Sequence, residues 1–310
     1  MFTLAHLSDP HLSNWRVTRP RELAGKRVLG FLSWQLRRRR IHRPEVLEFL
    51  VQDLLRVAPD HVAVTGDITN ISLPQEFAAA ARWLARLGPP DRVALVPGNH
   101  DAYVAIPWAE GLGRWAPYMT GDDALPNPAG SAEPLQFPFL RRRDELALVG
   151  VSTAQPMPYN SAGGMLGEAQ LARLEPMLHD LAREGRCRVV LIHHPPQSYA
   201  TPARKGLADA AAFRAVIERA GAELVLHGHT HRSHLDRLAV PGGHAPVLGV
   251  PSASALPHQG KHPARYHLCR IERSGAGWRI EVELRGLAAS RDGFRTETRF
   301  ALQVGLPKAA

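Results

Sequence analysis

The sequence contains few cysteines and no long apolar run. Cys187 and Cys269 are the only cysteines among 310 residues, and neither belongs to a Cys-X-X-Cys pair. A disulfide framework is therefore excluded. Because no N-terminal stretch has the pattern of a signal peptide, we expect a cytoplasmic protein. The longest apolar stretch, Val28 to Leu36, contains Gly, Ser and Gln and is well short of the ~20 residues that cross a bilayer. A membrane-spanning protein is not expected.

Acidic residues are scarce in one segment, from Arg16 to Arg43. This segment holds nine arginines and Lys26 but a single acid, Glu22, so its net charge of +9 equals that of the whole chain. Since the charge is confined to one segment and is not interleaved with aromatic residues along a groove, nucleic acid is not an expected partner. The charge implies a local partner instead: a phosphate-rich surface, an anionic substrate, or solvent alone.

Short apolar runs alternate with helical patterns over the first 230 residues, which is the rhythm of an α/β fold. The predicted strands are Phe2 to Leu7, His61 to Thr65, Arg92 to Val96, Arg188 to Ile192 and Leu224 to Leu226. The predicted helices are Pro44 to Val57, Pro74 to Leu87, Glu168 to Glu184 and Asp209 to Ala220. From about residue 245 the alternation predicts antiparallel strands at Val247 to Val250, Tyr266 to Glu272, Trp278 to Leu284 and Phe294 to Leu302. A single domain spanning 1–310 is the simplest organisation.

Polar clusters follow the predicted strands where each strand ends. In chain order they supply Asp9, His11, Asp67, Asn99, His193, His229 and His231. Because open α/β sheets bind ligands at the carboxyl ends of their strands, we expect these side chains to converge. Oxygen and nitrogen donors without a thiolate suit Mn, Fe or Zn, and the sequence does not select among them. Two divalent ions, two aspartates and a bridging hydroxide would leave a net positive site suited to phosphate.

The succession Asp-X-His, Gly-Asp, Gly-Asn-His-Asp, a strand-end His and Gly-His-X-His resembles the calcineurin-like metallophosphoesterase superfamily from Leu7 to His231. The resemblance implies a four-layer α/β/β/α sandwich of two mixed sheets and a centre of two metal ions. One ion would be held by Asp9, His11 and His231, the other by Asn99, His193 and His229, and Asp67 would bridge both.

The resemblance also assigns roles to residues beside the ligands. His100 would donate a proton to the leaving oxygen or stabilise charge on the phosphoryl oxygens, and Asp101 would orient it through the second ring nitrogen. Purple acid phosphatases resemble this pattern but place a metal-binding tyrosine at the position of Asn70, so that branch is disfavoured. Three further histidines, His6, His194 and His227, are interpreted as packing or supporting residues.

The implied reaction is hydrolysis of a phosphoric ester by metal-activated hydroxide, with in-line displacement at phosphorus. The histidine of Gly-Asn-His-Asp and the compact size favour a phosphodiester such as a cyclic nucleotide. The alternative is a membrane-associated pyrophosphatase acting on a nucleotide-linked lipid such as a UDP-diacylglucosamine, although that family commonly has arginine at the position of His100. A third alternative, an inactive metal-binding interaction module, is disfavoured by the complete ligand set.

The segment 16–43 follows the Asp9/His11 loop and should therefore emerge beside the metal site. Its apolar block, with Leu29, Leu32 and Leu36 on one helical stripe, is followed by the run Arg37 to Arg40. This composition suits binding to an anionic membrane surface, which would place the protein peripherally at the inner face of the membrane. A helix packed on the domain with a solvated basic end is the alternative. Arg204 and Lys205 are read either as phosphate contacts or as a solvated loop.

Overall fold

The computed structural model describes residues 1–13, 17, 19–123, 137–197, 200–258 and 260–305. Its strands are β1 (Phe2–Leu7), β2 (His61–Val64), β3 (Val93–Leu95), β4 (Phe139–Arg143), β5 (Leu146–Gly150), β6 (Cys187–Leu191), β7 (Leu224–His227), β8 (His234–Val240), β9 (Gly243–Gly249), β10 (Arg265–Ser274), β11 (Gly277–Leu287) and β12 (Phe294–Val304). Its α-helices are α1 (Lys26–Ser33), α2 (Arg39–Ile41), α3 (Pro44–Val57), α4 (Pro74–Leu87), α5 (Glu168–Arg183) and α6 (Ala210–Ala220). None of the helices in these ranges combines the length and apolarity needed to cross a bilayer.

The strands form two mixed sheets of six strands each. The first has the order β12-β11-β10-β1-β2-β3, and the second has the order β4-β5-β6-β7-β9-β8. In the first sheet β1, β2 and β3 run parallel, and β10 joins β1 antiparallel. In the second sheet β5, β6, β7 and β9 run parallel, with β4 and β8 as antiparallel edges. The predicted α/β fold of two mixed sheets is confirmed.

Two apolar clusters hold these layers together. Along β6 and β7, Val189, Leu191 and Leu224 belong to the larger cluster, which also contains side chains of the first sheet and of α3 and α4. The intervening Val190 and Val225 belong to the smaller cluster, with residues of α5 and α6. Because side chains alternate across a strand, each central strand of the second sheet is apolar on both faces. The layer order is therefore helix, sheet, sheet, helix, as the resemblance implied.

The helices α3 and α4 begin and end where the sequence predicted. Each has proline in its first turn, where the missing N–H costs no hydrogen bond. In α4 the buried Glu76 also accepts hydrogen bonds from the backbone N–H groups of Asn70 (2.6 Å), Ile71 (3.1 Å) and Leu73 (2.9 Å). The start of α4 thereby fixes the loop that follows β2.

The C-terminal strands differ in part from the prediction. The strands β10, β11 and β12 are antiparallel to one another, as expected. The strand at Val247 to Val250, however, belongs to β9, which is antiparallel to β8 but parallel to β7. The prediction of antiparallel pairing is therefore wrong for its β7 edge. The alternation of residues along a strand is the same for both pairings, because the direction is set by the neighbouring strand.

The basic segment forms a helix with two distinct faces. Helix α1 continues through a π-helical turn (Trp34–Arg38) into α2. Phe31 and Trp34 pack against Ile71 and Leu73, beside the loop that follows β2. The apolar stripe of Leu29, Leu32 and Leu36 remains exposed. Residues 14–16 and 18, which include Arg16, lie outside the described residues.

Candidate metal centre

The loops after β1, β2 and β7 hold their polar residues in an unusual backbone conformation. Asp9, His11, Asp67, His229 and His231 all have positive φ, between 41° and 65°. This left-handed region is uncommon for residues other than glycine, and strained residues of this kind cluster at functional sites. Five of the seven predicted ligands therefore sit in backbone that the surrounding fold must hold in place.

Glycines allow these loops to approach one another closely. A Cβ on Gly98 would lie 2.2 Å from Asp67 Oδ1 and 2.7 Å from His193 Cε1. A Cβ on Gly228 would lie 2.5 Å from Asp9 Oδ2. Side chains other than hydrogen would therefore displace the predicted ligands, which explains why the motifs read Gly-Asn and Gly-His.

The first group of donors combines Asp9, His11 and His231. His231 Nε2 lies 3.1 Å from Asp9 Oδ1 and 3.3 Å from His11 Nε2, and His11 Nε2 lies 3.9 Å from Asp9 Oδ1. Ligands that share one ion at about 2.0–2.2 Å are separated by roughly 3–4 Å. The three atoms have the spacing of a common coordination sphere.

The second group combines Asn99, His193 and His229. Asn99 Oδ1 lies 3.2 Å from His193 Nε2 and 2.9 Å from His229 Nδ1. Between the two groups, Asp67 Oδ2 lies 3.9 Å from His11 Nε2 and 3.4 Å from His193 Nε2. Asp67 therefore occupies the position expected of a bridging ligand.

Hydrogen bonds to the backbone orient two of the predicted histidine ligands. The ring N–H at Nδ1 of His11 donates to Thr69 O (3.1 Å), and that of His193 donates to Thr65 O (2.6 Å), which directs Nε2 of each ring toward the carboxylates. Asp9 Oδ1 is buried and has no hydrogen bond of acceptable geometry, although His231 Nε2 is near it. A buried carboxylate oxygen in this state fits a metal ligand.

The close packing of these side chains also shifts the pKa values of the histidines. Burial alone would lower the pKa of His193, but the charge and hydrogen bond of Asp67 raise it to about 9. Burial and the neighbouring His42 and His100 hold the pKa of His11 well below its usual value, so His11 is neutral. The carboxylates thus attract positive charge, and neutral imidazoles offer lone pairs, which is the combination that divalent ions require.

His100 lies beside the first group, with its ring centroid 5.0 Å from that of His11, and its ring is held by Asn70. The Nδ1–H donates to Asn70 O at 2.5 Å, and the backbone N–H of His100 donates to Asp67 Oδ1 at 2.7 Å. The guanidinium of Arg38 lies 3.1 Å from the same Nδ1. Because Nδ1 carries the proton given to Asn70, this second contact is a close approach of two donors. Burial and the Arg38 charge lower the pKa of His100 to about 4.

Asp101 does not orient His100, so that part of the sequence prediction is wrong. Its carboxylate accepts backbone N–H groups from Asp67 (2.8 Å), Gly98 (2.9 Å) and Thr69 (2.9 Å). The ring of His100 bonds the carbonyl of Asn70 instead. Asp101 instead ties the loop after β2 to the loop after β3. Burial and the Asp67 charge raise its pKa to about 7.

The neighbouring histidines make contacts that suit supporting roles. His194 donates from Nε2 to Ala162 O (3.1 Å) and accepts at Nδ1 from the hydroxyl of Thr153 (2.7 Å), so neither nitrogen remains for a metal. His6 Nε2 contacts Thr65 Oγ1 at 2.9 Å, and His227 Nδ1 contacts Gly228 O at 3.0 Å.

Sequence reasoning missed His42 at the end of the basic segment. Its ring centroid lies 4.6 Å from that of His11 and 5.6 Å from that of His231. Its Nδ1 is paired with Ser254 Oγ at 2.8 Å. His42 therefore forms a wall of the first donor group, and no motif in the sequence marks it.

A cavity of about 400 Å³ opens over the donors. Its lining includes Asp67, Asn99, His100, His229 and His231 together with four cationic side chains, Arg38, Lys205, Arg232 and Lys261. The sequence allows Arg204 and Lys205 to be either phosphate contacts or part of a solvated loop. Lys205 lines this cavity, and Arg204 is not part of the lining. Arg232 and Lys261 were missed, although Arg232 directly follows a predicted ligand.

Two solved structures are similar to this one in fold. A dimetal phosphatase from Danio rerio has a similar structure, with a TM-score of 0.60 and 14% identity over 96% of this chain and 98% of that one. A purple acid phosphatase from yellow lupin (Lupinus luteus) seeds has a TM-score of 0.54 and 11% identity over 97% of this chain and 53% of that one. At these identities the likeness shows the fold.

One curated relative is similar in sequence. The glycerophosphodiester phosphodiesterase GpdQ of Enterobacter lignolyticus is 30% identical over 142 residues. The match covers 46% of this chain and 44% of that protein, so it spans less than half the length of either. The family model described as calcineurin-like phosphoesterase matches residues 2–233, which contain every predicted ligand. The chain therefore belongs to the calcineurin-like phosphoesterase family.

Proposed function

We propose that the protein hydrolyses a phosphodiester, such as a cyclic nucleotide, at a dinuclear metal centre. Asp9, His11 and His231 would hold one ion, and Asn99, His193 and His229 would hold the other. The observation that carries this proposal is the place of Asp67 Oδ2, 3.9 Å from His11 Nε2 of one group and 3.4 Å from His193 Nε2 of the other. The donor set suits Mn, Fe or Zn. Bound ions would lower the pKa of a water molecule and supply hydroxide as the nucleophile.

The remaining chemistry belongs to the side chains around the donors. Because Nδ1 of His100 donates to Asn70, its Nε2 is the nitrogen available to the cavity. Donation to the leaving oxygen requires a second proton on Nε2, which a bound anionic phosphate would favour although burial and the Arg38 charge keep the His100 pKa at about 4 in the protein alone. Arg38 would add positive charge beside the phosphoryl oxygens. Asp101 would act indirectly, by fixing the loops that carry Asp67 and Asn99.

The diester preference rests on the histidine at position 100 and on the partial similarity to a glycerophosphodiester phosphodiesterase. The test is a substrate panel with protein loaded with Mn, Fe or Zn: a chromogenic diester, cyclic AMP, a chromogenic monoester and a UDP-linked lipid. We expect turnover of the diesters to exceed that of the monoester. A preference for the monoester, or turnover of the UDP-linked lipid alone, would contradict the proposal.

The exposed face of the basic helix favours a second candidate, a pyrophosphatase acting on a nucleotide-linked lipid at a membrane. Leu29, Leu32 and Leu36 are 56%, 48% and 70% exposed, and Arg39 and Arg40 are exposed on the same side. Apolar side chains flanked by arginines on one helical face are typical of interfacial helices that bind anionic lipid. We infer that this face would hold the protein peripherally at the inner face of a membrane, with residues 1–310 acting as one domain.

Vesicle co-sedimentation tests this second proposal. We expect binding to anionic but not to neutral vesicles, weakening as salt is raised toward ~0.5 M because exposed charges are screened. Leu36→Ser should weaken binding, whereas the matched change Leu55→Ser, at a leucine 64% exposed on α3, should not. Arg38 should be left unchanged because it contacts His100. Equal weakening by both leucine changes, or no binding at low salt, would refute the membrane role.

A further inference from the structure

Four cations reach the candidate site from separate parts of the chain. Arg38 comes from the π-helical turn, Lys205 from a 3-10 turn (Ala203–Lys205), Arg232 from the loop after β7, and Lys261 from the segment before β10. We call these four side chains the cationic rim. Because they arrive from four distant segments, their convergence is a property of the fold rather than of one basic stretch.

The cationic rim has no acidic partner in the part of the chain that the structure describes. No carboxylate there lies within ion-pairing distance of Arg38, Lys205, Arg232 or Lys261. Some arginines elsewhere are paired with acids, such as Arg86 with Glu48 at 2.7 Å and Arg219 with Glu175 at 2.6 Å. The acid in the lining, Asp67, is directed toward the predicted ligands.

This arrangement is electrostatically costly without an anionic ligand. Burial lowers the pKa of Lys205, and the neighbouring charges of Arg204, Arg38 and Arg37 lower it further. Burial also lowers the pKa of Lys261, as do Arg232 and Lys205, although Asp9 opposes them. Side chains that repel one another in a shared cavity are stabilised together when an anion enters.

The number of charges exceeds what a simple diester supplies. A phosphodiester carries one negative charge, and two divalent ions held by two aspartates already leave a positive site for it. The cationic rim adds four positive charges to the same cavity. A substrate with a single charge would leave most of the rim uncompensated.

We propose that the cationic rim is a binding site for a second phosphate group, so that the natural substrate is a phosphoester bearing another phosphate near the scissile one. This proposal rests on the proposed function and narrows its substrate class. Arg38 would contact the phosphate nearest His100, and Lys205, Arg232 and Lys261 would contact the second phosphate.

A matched pair of nucleotides tests the proposal by binding alone. Calorimetry on the metal-loaded protein compares thymidine 5′-monophosphate with thymidine 3′,5′-bisphosphate, which differ by one phosphate. Since a hydrogen bond to a charged group is worth about tenfold or more in affinity, we expect the bisphosphate to bind at least about tenfold more tightly. Lys205→Gln and Lys261→Gln should each remove most of this difference. Arg237→Gln, at an arginine of β8 outside this cavity, should leave the difference intact.

A kinetic pair separates this proposal from the proposed function. The substrates are thymidine 5′-(4-nitrophenyl phosphate) and its 3′-phosphorylated form, which share one leaving group. We expect the second phosphate to lower KM about tenfold with little change in kcat, and the two lysine variants to lose this advantage.

The outcomes are distinct. If neither compound is hydrolysed but the bisphosphate binds preferentially, the proposed function fails and the cationic rim stands. If both are hydrolysed with equal KM and the two nucleotides bind equally, the rim proposal fails alone. A bisphosphate preference that survives both lysine substitutions also overturns it.

Discussion

Replacing Asp101 by asparagine tests the network that holds the candidate centre together. The carboxylate is 2% exposed, and each oxygen accepts a backbone N–H: Oδ2 from Asp67 and Gly98, and Oδ1 from Thr69. Asparagine keeps only one acceptor oxygen. With that oxygen toward Asp67 and Gly98, its NH2 group would face the N–H of Thr69, so two donors would meet.

The cost can be estimated from these contacts. Thr69 Oγ1 lies 3.1 Å from Asp101 Oδ1, but its hydroxyl is already committed to His100 O at 2.6 Å, so Thr69 Oγ1 could accept from the new NH2 group. The unrecovered loss is one charge-assisted hydrogen bond at the buried N–H of Thr69, about 1.5–3 kcal/mol. With an unfolding entropy of about 2.1 cal/mol/K per residue, a chain of 310 residues loses about 1.5 °C per kcal/mol, so the melting temperature should fall by roughly 2–5 °C.

The assay combines calorimetric melting with metal analysis. Because Asp101 fixes the loops of Asp67 and Asn99, we expect Asp101→Asn to lower the bound metal per protein as well as the melting temperature. Asp180→Asn is the control, since Asp180 pairs with Arg183 at the surface and its side chain is 58% exposed. A variant that melts within 1 °C of the wild type, with full metal content, would show that the network does not act in this way.

Three further predictions follow from the site and from the first sheet. Asp67→Ala should reduce bound metal from about two ions to one or none and abolish turnover, whereas Asn99→Ala should mainly empty one position. Elemental analysis of the purified variants measures this, and an Asp67→Ala protein that kept both metals would refute the bridging role. His100→Ala should retain both metals yet lose about 10²–10⁴-fold in kcat, less for a nitrophenolate leaving group; an equal loss on every substrate would indicate charge stabilisation. Burial would raise the pKa of Glu283, but hydrogen bonds from Thr296 and three arginines lower it to about 2. Its stabilisation is present above the unfolded pKa of about 4.3 and is lost as pH falls toward 2, so Glu283→Gln should flatten the melting temperature between about pH 5 and 2.

The elements predicted most accurately are those with strong local signals. The helices at Pro44–Val57 and Pro74–Leu87 have the predicted bounds, because proline fixes the first turn and apolar residues recur at the helical period. The convergence of the polar clusters was also predictable, since parallel strands bring their carboxyl ends to one edge. Neither prediction requires knowledge of distant contacts.

Elements that depend on distant contacts were missed. The strand β4 reads Phe-Leu-Arg-Arg-Arg, which has little apolar character. Its Arg141 is nevertheless buried, because the guanidinium donates to the carbonyls of Pro90, Val93, Pro117 and Thr120. Burial of an arginine depends on acceptors supplied by other segments, and no local pattern encodes them.

Asp101 illustrates the same limit inside the candidate site. It neighbours His100 in sequence, and a carboxylate next to a histidine suggests a contact between their side chains. The loop after β3 turns the carboxylate toward the N–H groups of Asp67 and Thr69, while the carbonyl of Asn70 takes the ring of His100. Which acceptor serves the ring is decided by how two loops pack, thirty residues apart in the chain.

The sequence of the basic helix does indicate which face packs on the fold, but the glycine marks that face and the leucine stripe does not. Leu29, Leu32 and Leu36 form the more obvious apolar stripe, yet they face outward. The inward face is marked by Gly30, where a Cβ would lie 2.5 Å from Ile71 Cγ2.

After Gly30, the residues Phe31, Trp34 and Arg38 have the spacing i, i+3 and i+7, which places them on one face of a helix. Phe31 and Trp34 pack on the fold, and Arg38 therefore reaches His100 from the same side. One arginine of the run Arg37 to Arg40 is thus directed at the candidate site, while Arg39 and Arg40 stay on the exposed face. A single helix presents one face to the reaction and the other to its surroundings, so the run of four arginines cannot be treated as one functional unit.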